Sequence, residues 1–297
     1  MSHDLQRAIS ALVSDEWSVT GQSRVGGGCI SDAYQVQVTG PDGKTSRLFV
    51  KSNDATFLDN FEAECDGLTR LAETGAIRVP EPLAVGHVAN QAWLIIRWID
   101  QASRSTDFFE RFGRALAQMH RCTSGHQIGL PRDNYLGAAS QINQSTATWT
   151  EFVANHRIGY QVQWASDQGL ADRELVSDCE AIIARLDELL AGRPNSTCLL
   201  HGDLWSGNYL CDSQGFPVIL DPAVYYGCPE AEFGMLRLFG SCPTDFYESY
   251  EQESPLNAGW QRRVSVYVLY HLLNHLNLFG RGYYDQCRSL AKEILRG

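Results

Sequence analysis

Three polar side chains stand at a spacing that chemistry can use. Asp203 and Asn208 lie in His201-Gly202-Asp203-Leu204-Trp205-Ser206-Gly207-Asn208, and Asp221 lies in Ile219-Leu220-Asp221-Pro222. Phosphoryl transfer asks little covalent work of a protein. It needs a carboxylate to orient and deprotonate the attacking hydroxyl, and acids or amides to hold Mg2+ on nucleotide phosphates. An Asp, an Asn five residues later and a second Asp ending a strand-like run supply those parts in order. A lone Asp-Gly or Ser-Gly-Asn would more simply cap a turn; the complete string with its second Asp is expected to be catalytic. Upstream, Gly26, Gly27 and Gly28 separate a strand-like Trp17 to Val25 from a second strand starting near Ser31. Such a hairpin tip lets backbone N–H groups approach phosphate oxygens, because no Cβ intervenes. The string does not complete G-x-G-x-x-G, since Ser31 fills the last position. Lys51 ends the run Leu48-Phe49-Val50 and precedes a helix carrying Glu62 and Glu64, the layout of a phosphate-binding lysine steadied by a helix glutamate.

These residues need elements to position them. Tyr34-Gln35-Val36-Gln37-Val38 alternates apolar and polar, the period of a half-buried strand, and Pro41-Asp42-Gly43 predicts a turn into the strand at Arg47 to Lys51. Phe61, Cys65, Leu68 and Leu71 recur at helical spacing until Gly75, and Trp93 to Trp98 is strand-like. Beyond residue 100 the pattern turns helical over 108–120, 148–168, 174–190 and 262–279. From Leu199 to Leu220 two apolar strand-like runs interrupt it, flanking polar, glycine-containing loops. A β-rich first third with one helix, then a helical remainder holding a loop-strand insert, predicts an α+β chain of two lobes with a cleft between them. The lobes are placed at 1–98 for the nucleotide and 99–297 for catalysis and substrate.

Composition removes several function classes. The chain of 297 residues carries 35 Asp plus Glu against 24 Lys plus Arg, a net charge of -11, which repels phosphate backbones and acidic membranes. No run reaches the ~18 apolar residues of a membrane span, and the polar opening MSHDLQRAIS does not read as a signal peptide. Nine cysteines without a C-x-x-C pair read as reduced thiols of a cytoplasmic protein.

With these residues in place, the sequence resembles the fructosamine kinases (ketosamine-3-kinases), a family distantly similar to aminoglycoside phosphotransferases and protein kinases. The resemblance spans nearly the whole chain. It is carried by Gly27-Gly28-Cys29-Ile30-Ser31, Phe49-Val50-Lys51, Phe61-Glu62-Ala63-Glu64, Val79-Pro80, the string from His201 to Asn208, Asp221-Pro222-Ala223 with Tyr226-Gly227, and Leu273-Asn274-His275 with Phe279-Gly280. H-G-D-x-x-x-x-N alone would fit many small-molecule kinases, whereas Leu204-Trp205-Ser206, the D-P-A with Y-G and the late L-N-H are specific to this branch. The resemblance implies a bilobal protein-kinase-like fold and ATP- and Mg2+-dependent phosphorylation of the sugar 3-hydroxyl on ketoamine adducts, fructosamines or ribulosamines, of small amines or proteins. A 3-phosphate becomes an allylic leaving group once the C2 ketone enolises toward C1, so the expected outcome is deglycation.

Carried over by position, the resemblance makes Asp203 the base, Asn208 and Asp221 the metal ligands, Lys51 the phosphate contact and Glu64, not Glu62, its partner. Ile96 to Ile99 becomes the hinge that meets adenine, with Arg97, Trp98 and Ile99 as contacts. Arg97 departs from the acidic residue often found there, and Pro229 stands where the family usually has Arg. Trp205 and His275 are expected in the sugar pocket, and His201 as a brace for the catalytic loop. His271 and His275 have the spacing of a metal pair but no Glu between them and no evident third ligand. Cys29, beside phosphate-binding amides, is a candidate redox-sensitive thiol that could also bridge a dimer. The competing readings are a kinase of an aminoglycoside or choline-like alcohol, and a nucleotide-binding regulator without catalysis.

Overall fold

The computed structural model describes residues 2–26 and 30–297; Gly27, Gly28 and Cys29, three of the residues singled out above, lie outside the described residues. Five strands of the first third pair antiparallel: β1 (Ser18–Arg24), β2 (Asp32–Thr39), β3 (Thr45–Asp54), β4 (Pro82–Val88) and β5 (Gln91–Arg97), in the order β1-β2-β3-β5-β4. The predicted turn at Pro41-Asp42-Gly43 joins β2 to β3, with Thr39 opposite Thr45. Five consecutive residues of β5, Ala92 to Ile96, are buried, which a strand sustains only when both faces are covered. Trp93 and Ile95 face helix α1 (Ser2–Leu12), while Ala92, Leu94 and Ile96 face α2 (Leu58–Glu73) through Phe61 and Leu68.

Helix α1 corrects the expectation of one helix in this lobe. Leu5, Ala8, Ile9 and Leu12 form an i, i+3, i+4, i+7 stripe hidden in a polar opening, and the first three are fully buried against Val36, Leu48 and Val50. Strand β4 was also unread, because Pro82 and Gly86 break its pattern.

The second lobe is largely helical, with α3 (Phe108–Cys122), α4 (Trp149–Phe152), α5 (Tyr160–Asp167), α6 (Arg173–Ala184), α7 (Leu186–Leu189), α8 (Glu232–Leu238), α9 (Thr244–Glu253), α10 (Trp260–Phe279) and α11 (Tyr284–Arg296). The helix expected over 148–168 is two helices joined by a π-helical turn, Val153–Gly159. That wider turn carries the buried Arg157, which donates to the Ile142 carbonyl and to Asn143 Oδ1 and lies 4.2 Å over the Tyr225 ring. The run over 174–190 likewise breaks, at Arg185. Between these helices run three-residue strands: β6 (Asn134–Leu136) with β7 (Ala139–Gln141), β8 (Cys198–Leu200) with β11 (Tyr225–Gly227), and β9 (Tyr209–Cys211) with β10 (Pro217–Ile219). Among the described residues no helix is long and apolar enough to cross a membrane.

One backbone tie joins the lobes, and a second fixes the connector that follows β5. The Ile219 N–H donates to the Arg78 carbonyl at 3.0 Å, and the Ala102 N–H to the Cys211 carbonyl at 2.9 Å. Helix α2 also meets Pro222, since a Cβ on Gly67 would lie 3.0 Å from the proline ring.

After β11, where Pro229 replaces the usual Arg, Glu230 is completely buried and receives Arg263 of α10 through two bonds of 2.7 Å. Removing one partner of such a pair strands the other charge in the core. Glu230→Ala should therefore lose about 3–5 kcal/mol of stability in urea unfolding, and Glu230→Leu with Arg263→Met should recover most of it. A loss below about 1 kcal/mol for Glu230→Ala would show that the pair is not structural.

Candidate active site

Strand β3 and helix α2 bring Lys51 and Glu64 together from either side of a turn. Lys51 Nζ donates to Glu64 Oε1 at 2.8 Å and Oε2 at 3.0 Å, and both side chains are nearly buried. Glu62 is exposed and does not reach Lys51. From the other lobe Asp221 Oδ1 lies 2.8 Å from the same Nζ. Burial alone would push the Lys51 ammonium down; the Asp221 and Glu64 carboxylates more than offset this and hold it above its ordinary value. Burial raises Glu64 in turn, against the pull of Lys51.

Asp221 adopts a φ of +52°, a left-handed conformation that a non-glycine residue holds only under constraint. The constraint is visible on both sides. Leu220 N–H donates to the Asn208 carbonyl at 2.9 Å and Ala223 N–H to the His201 carbonyl at 2.8 Å, zipping this segment to the catalytic loop. Gly202 makes the approach possible, with φ +82° and the position of its absent Cβ only 2.1 Å from the Ala223 oxygen.

Within the loop, Asn208 Nδ2 donates to the Asp203 carbonyl at 2.8 Å and to Asp203 Oδ2 at 3.1 Å. Asp203 Oδ1 is buried without a partner among the described residues. Burial, then the Asp221 charge, push the Asp203 carboxyl well above its usual range, against the hydrogen bond from Asn208. His201 braces the loop, as expected. Its Nδ1 accepts the Asp203 N–H at 3.2 Å, so Nε2 carries the proton and donates to the Leu220 carbonyl at 2.7 Å. Burial lowers its pKa, which keeps the ring neutral.

Sequence reasoning missed Glu232, at the start of α8. Its carboxylate accepts the N–H of His201 at 2.6 Å and of Gly202 at 3.1 Å, and His120 Nε2 lies 3.5 Å away. Burial opposes its charge, but the neighbouring His120 imidazole, then His201, hold its pKa below the ordinary glutamate value. The signal available was one carboxylate in the otherwise apolar run Ala231 to Leu236.

The hinge differs from the expectation in detail. Arg97 N–H donates to the Glu81 carbonyl and Trp98 N–H to the Arg47 carbonyl, so neither is free for an adenine, and the Arg97 side chain pairs with Glu81 at 2.7 Å on the surface. The Ile99 N–H has no partner among the described residues. Gly26 lies at the edge of the described hairpin. Trp205 folds over Gly207, where a Cβ would lie 2.5 Å from the indole, and His275 reaches the same region through Phe239. His271 and His275 do not form a metal pair: His275 Nδ1 donates to the His271 carbonyl at 2.7 Å, and burial drives His271 down to about 3.

The donor set fits a hard cation. With its NH2 committed to Asp203, Asn208 keeps Oδ1 as an acceptor, and its backbone carbonyl is bonded to Leu220, next to Asp221. Mg2+ is commonly held by one or two carboxylates plus phosphate oxygens, not by a full protein cage. Among the described residues no cluster of three or more His, Cys, Asp or Glu competes for it.

An acid whose pKa is raised on folding gives the native state the greater proton affinity. Ionised Asp203 therefore costs stability as pH rises above about 4, where the unfolded side chain is already charged. Asp203→Asn should melt with wild type near pH 4 and at least about 2 °C above it at pH 8, by calorimetry without nucleotide. A difference that does not change with pH would show that Asp203 is not strained as an anion.

Comparison with known proteins agrees with this arrangement. The fructosamine kinase family model matches residues 1–297. A probable ketoamine kinase of Synechocystis is 38% identical over 294 residues, covering 98% of this chain and 96% of its own. The chloroplastic protein-ribulosamine 3-kinase of Oryza sativa subsp. japonica is 39% identical over 279 residues, covering 94% and 80%. The crystal structure of a fructosamine-3-kinase homologue from Thermobifida fusca superposes with a TM-score of 0.85 at 31% identity, covering 99% of both chains. An aminoglycoside phosphotransferase solved with ADP and hygromycin B shares the fold at 16% identity and a TM-score of 0.66. The fold is thus the bilobal protein-kinase-like one, and the chain belongs to the fructosamine kinase family.

Proposed function

We propose that this protein transfers the γ-phosphoryl group of ATP to the 3-hydroxyl of ketoamines, ribulosamines or fructosamines, on small amines or on glycated proteins. The observation that carries the reading is Asp203, a buried carboxylate with one oxygen fixed by Asn208 and the other unpartnered, across from the Lys51, Glu64 and Asp221 cluster. The free oxygen is the one to take the proton of the attacking hydroxyl, and the raised pKa suits a general base. Lys51 binds phosphate oxygens while Glu64 fixes its position. Asn208 Oδ1 and Asp221 would hold Mg2+, whose charge stabilises the phosphates in transfer. The indole of Trp205 offers a face to the sugar. Once phosphate sits at C3, loss of a C1 proton acidified by the C2 ketone gives a 1,2-enaminol that expels the allylic phosphate from C3; water then hydrolyses the resulting imine and frees the amine, and no protein group is required. The relatives' names support a ketoamine acceptor over an aminoglycoside or choline-like one.

ADP release with ribulosamine, fructosamine, aminoglycoside and choline acceptors tests this. Turnover should be confined to the first two, and Asp203→Asn should lose it by about 10²–10⁴ while still binding Mg-ATP. Equal turnover of an aminoglycoside, or an Asp203→Asn enzyme within threefold of wild type, would reject the reading.

The proposal includes Cys29 as the oxidant-sensitive thiol, able to bridge two chains. Burial pushes Cys179, Cys228, Cys242 and Cys287 up to about 12, which removes them as thiolates, whereas Cys122 is exposed. Mild peroxide should lower activity reversibly in wild type and Cys122→Ala but not in Cys29→Ala. Equal sensitivity of wild type and Cys29→Ala would assign the effect elsewhere.

A further inference from the structure

The rings beside the catalytic loop do not end at Trp205. Its indole lies 5.3 Å from Phe239, Phe239 lies 5.1 Å from His275, and His275 lies 5.5 Å from Phe279 and 5.1 Å from Tyr283. They converge from the loop after Asp203, the end of α8, the last turns of α10 and the turn before α11. A buried cluster of this kind would be ordinary packing, but this one is open. Phe279 is 53% exposed, more than any other large hydrophobic side chain described, and Trp205, Phe239 and Tyr283 are half-buried. The nearby Arg281 guanidinium is turned to the Tyr284 ring instead.

His275 supplies a second feature. Its Nδ1 faces the His271 carbonyl, so Nδ1 carries the proton and Nε2 is left as an acceptor with no partner among the described residues. Burial lowers the pKa of this ring, so it stays neutral and does not repel a cation.

We propose that the rings beyond Trp205, those of Phe239, Phe279 and Tyr283, form a cage for the protonated secondary amine of the ketoamine, with His275 Nε2 accepting one of its N–H bonds. This rests on the ketoamine reading above and assigns the half of the substrate that reading leaves unplaced. Ring faces attract a cation within about 6 Å of their centroids, and the net charge of -11 adds a long-range field of the same sense. The sugar end then lies toward Asp203, and the substituent on nitrogen leaves past the exposed Phe279, which suits the methylenes of a lysine.

Two measurements test the cage separately from catalysis. Diethylammonium and diethyl ether have the same size and differ in charge; ligand-observed NMR should show the cation binding at least about threefold more tightly at pH 7. Phe239→Leu and Phe279→Leu should each erase most of that preference. Equal binding of the two probes, or a preference that survives both substitutions, overturns the cage. With a ketoamine acceptor, Phe279→Leu should raise KM about three- to tenfold with kcat changed less than twofold, and Phe279→Tyr should restore KM. A fall in kcat with KM unchanged also overturns it. Should the wild-type protein prefer the cation yet phosphorylate no ketoamine, the ring cluster is a cation site and its assignment to a ketoamine is wrong.

Discussion

The Lys51 ammonium, held between Glu64 of α2 and Asp221 of the other lobe, is the interaction on which the rest of the site depends. Two carboxylates on one buried cation make a charge balance that fails if either lobe shifts. Glu64 reaches Lys51 only because Phe61 and Leu68 seat α2 on one face of the sheet, while α1 covers the other. Asp221 reaches it only because its strained backbone is pinned to the catalytic loop on both sides. The lysine is thereby already oriented, with its desolvation offset by neighbouring carboxylates.

The catalytic loop is built on a second buried charge. Glu232 takes two loop N–H groups, His201 takes a third and returns a proton to Leu220, and His120 stands behind Glu232. This arrangement keeps His201 occupied on both ring nitrogens. It can orient Asp203 but has no lone pair left with which to accept a proton from an acceptor alcohol. Division of labour between a fixed imidazole and a strained carboxylate follows from the hydrogen bonds alone.

Much of this was legible in the sequence, and the unread parts share a physical reason. The Asp203, Asn208 and Asp221 spacing, the Lys51 strand and the α2 periodicity are local patterns, so they can be read without neighbours. Helix α1 was hidden because its four apolar residues are diluted by polar ones, and only the sheet shows that the stripe is buried. The π turn at Val153–Gly159 reflects where Arg157 finds its acceptors, in residues 142 and 143, which no helical periodicity encodes. Glu232 looked like a surface charge because a buried acid is recognised by its partners, and these lie 31 and 112 positions away. The hinge shows the same limit: the N–H groups of Arg97 and Trp98 bond to the Glu81 and Arg47 carbonyls, contacts that no local pattern encodes.

The backbone tie between the lobes, Arg78–Ile219, and the one that holds the connector after β5, Ala102–Cys211, both lie at the β4 and β5 side of the sheet, while β1 and β2 occupy the opposite edge. Mechanically they act as the pins of a door. Any swing of the first lobe about the line through them displaces each atom in proportion to its distance from that line. Ile219 sits on a pin, two residues before Asp221, so the Asp221 carboxylate scarcely travels. Strand β1, at the far edge of the sheet, has the longest lever arm among the five strands, and a few degrees of swing there become ångströms. The same line can therefore let the β1 edge move while Asp221 stays in register with the loop from His201 to Asn208, to which its neighbours are bonded.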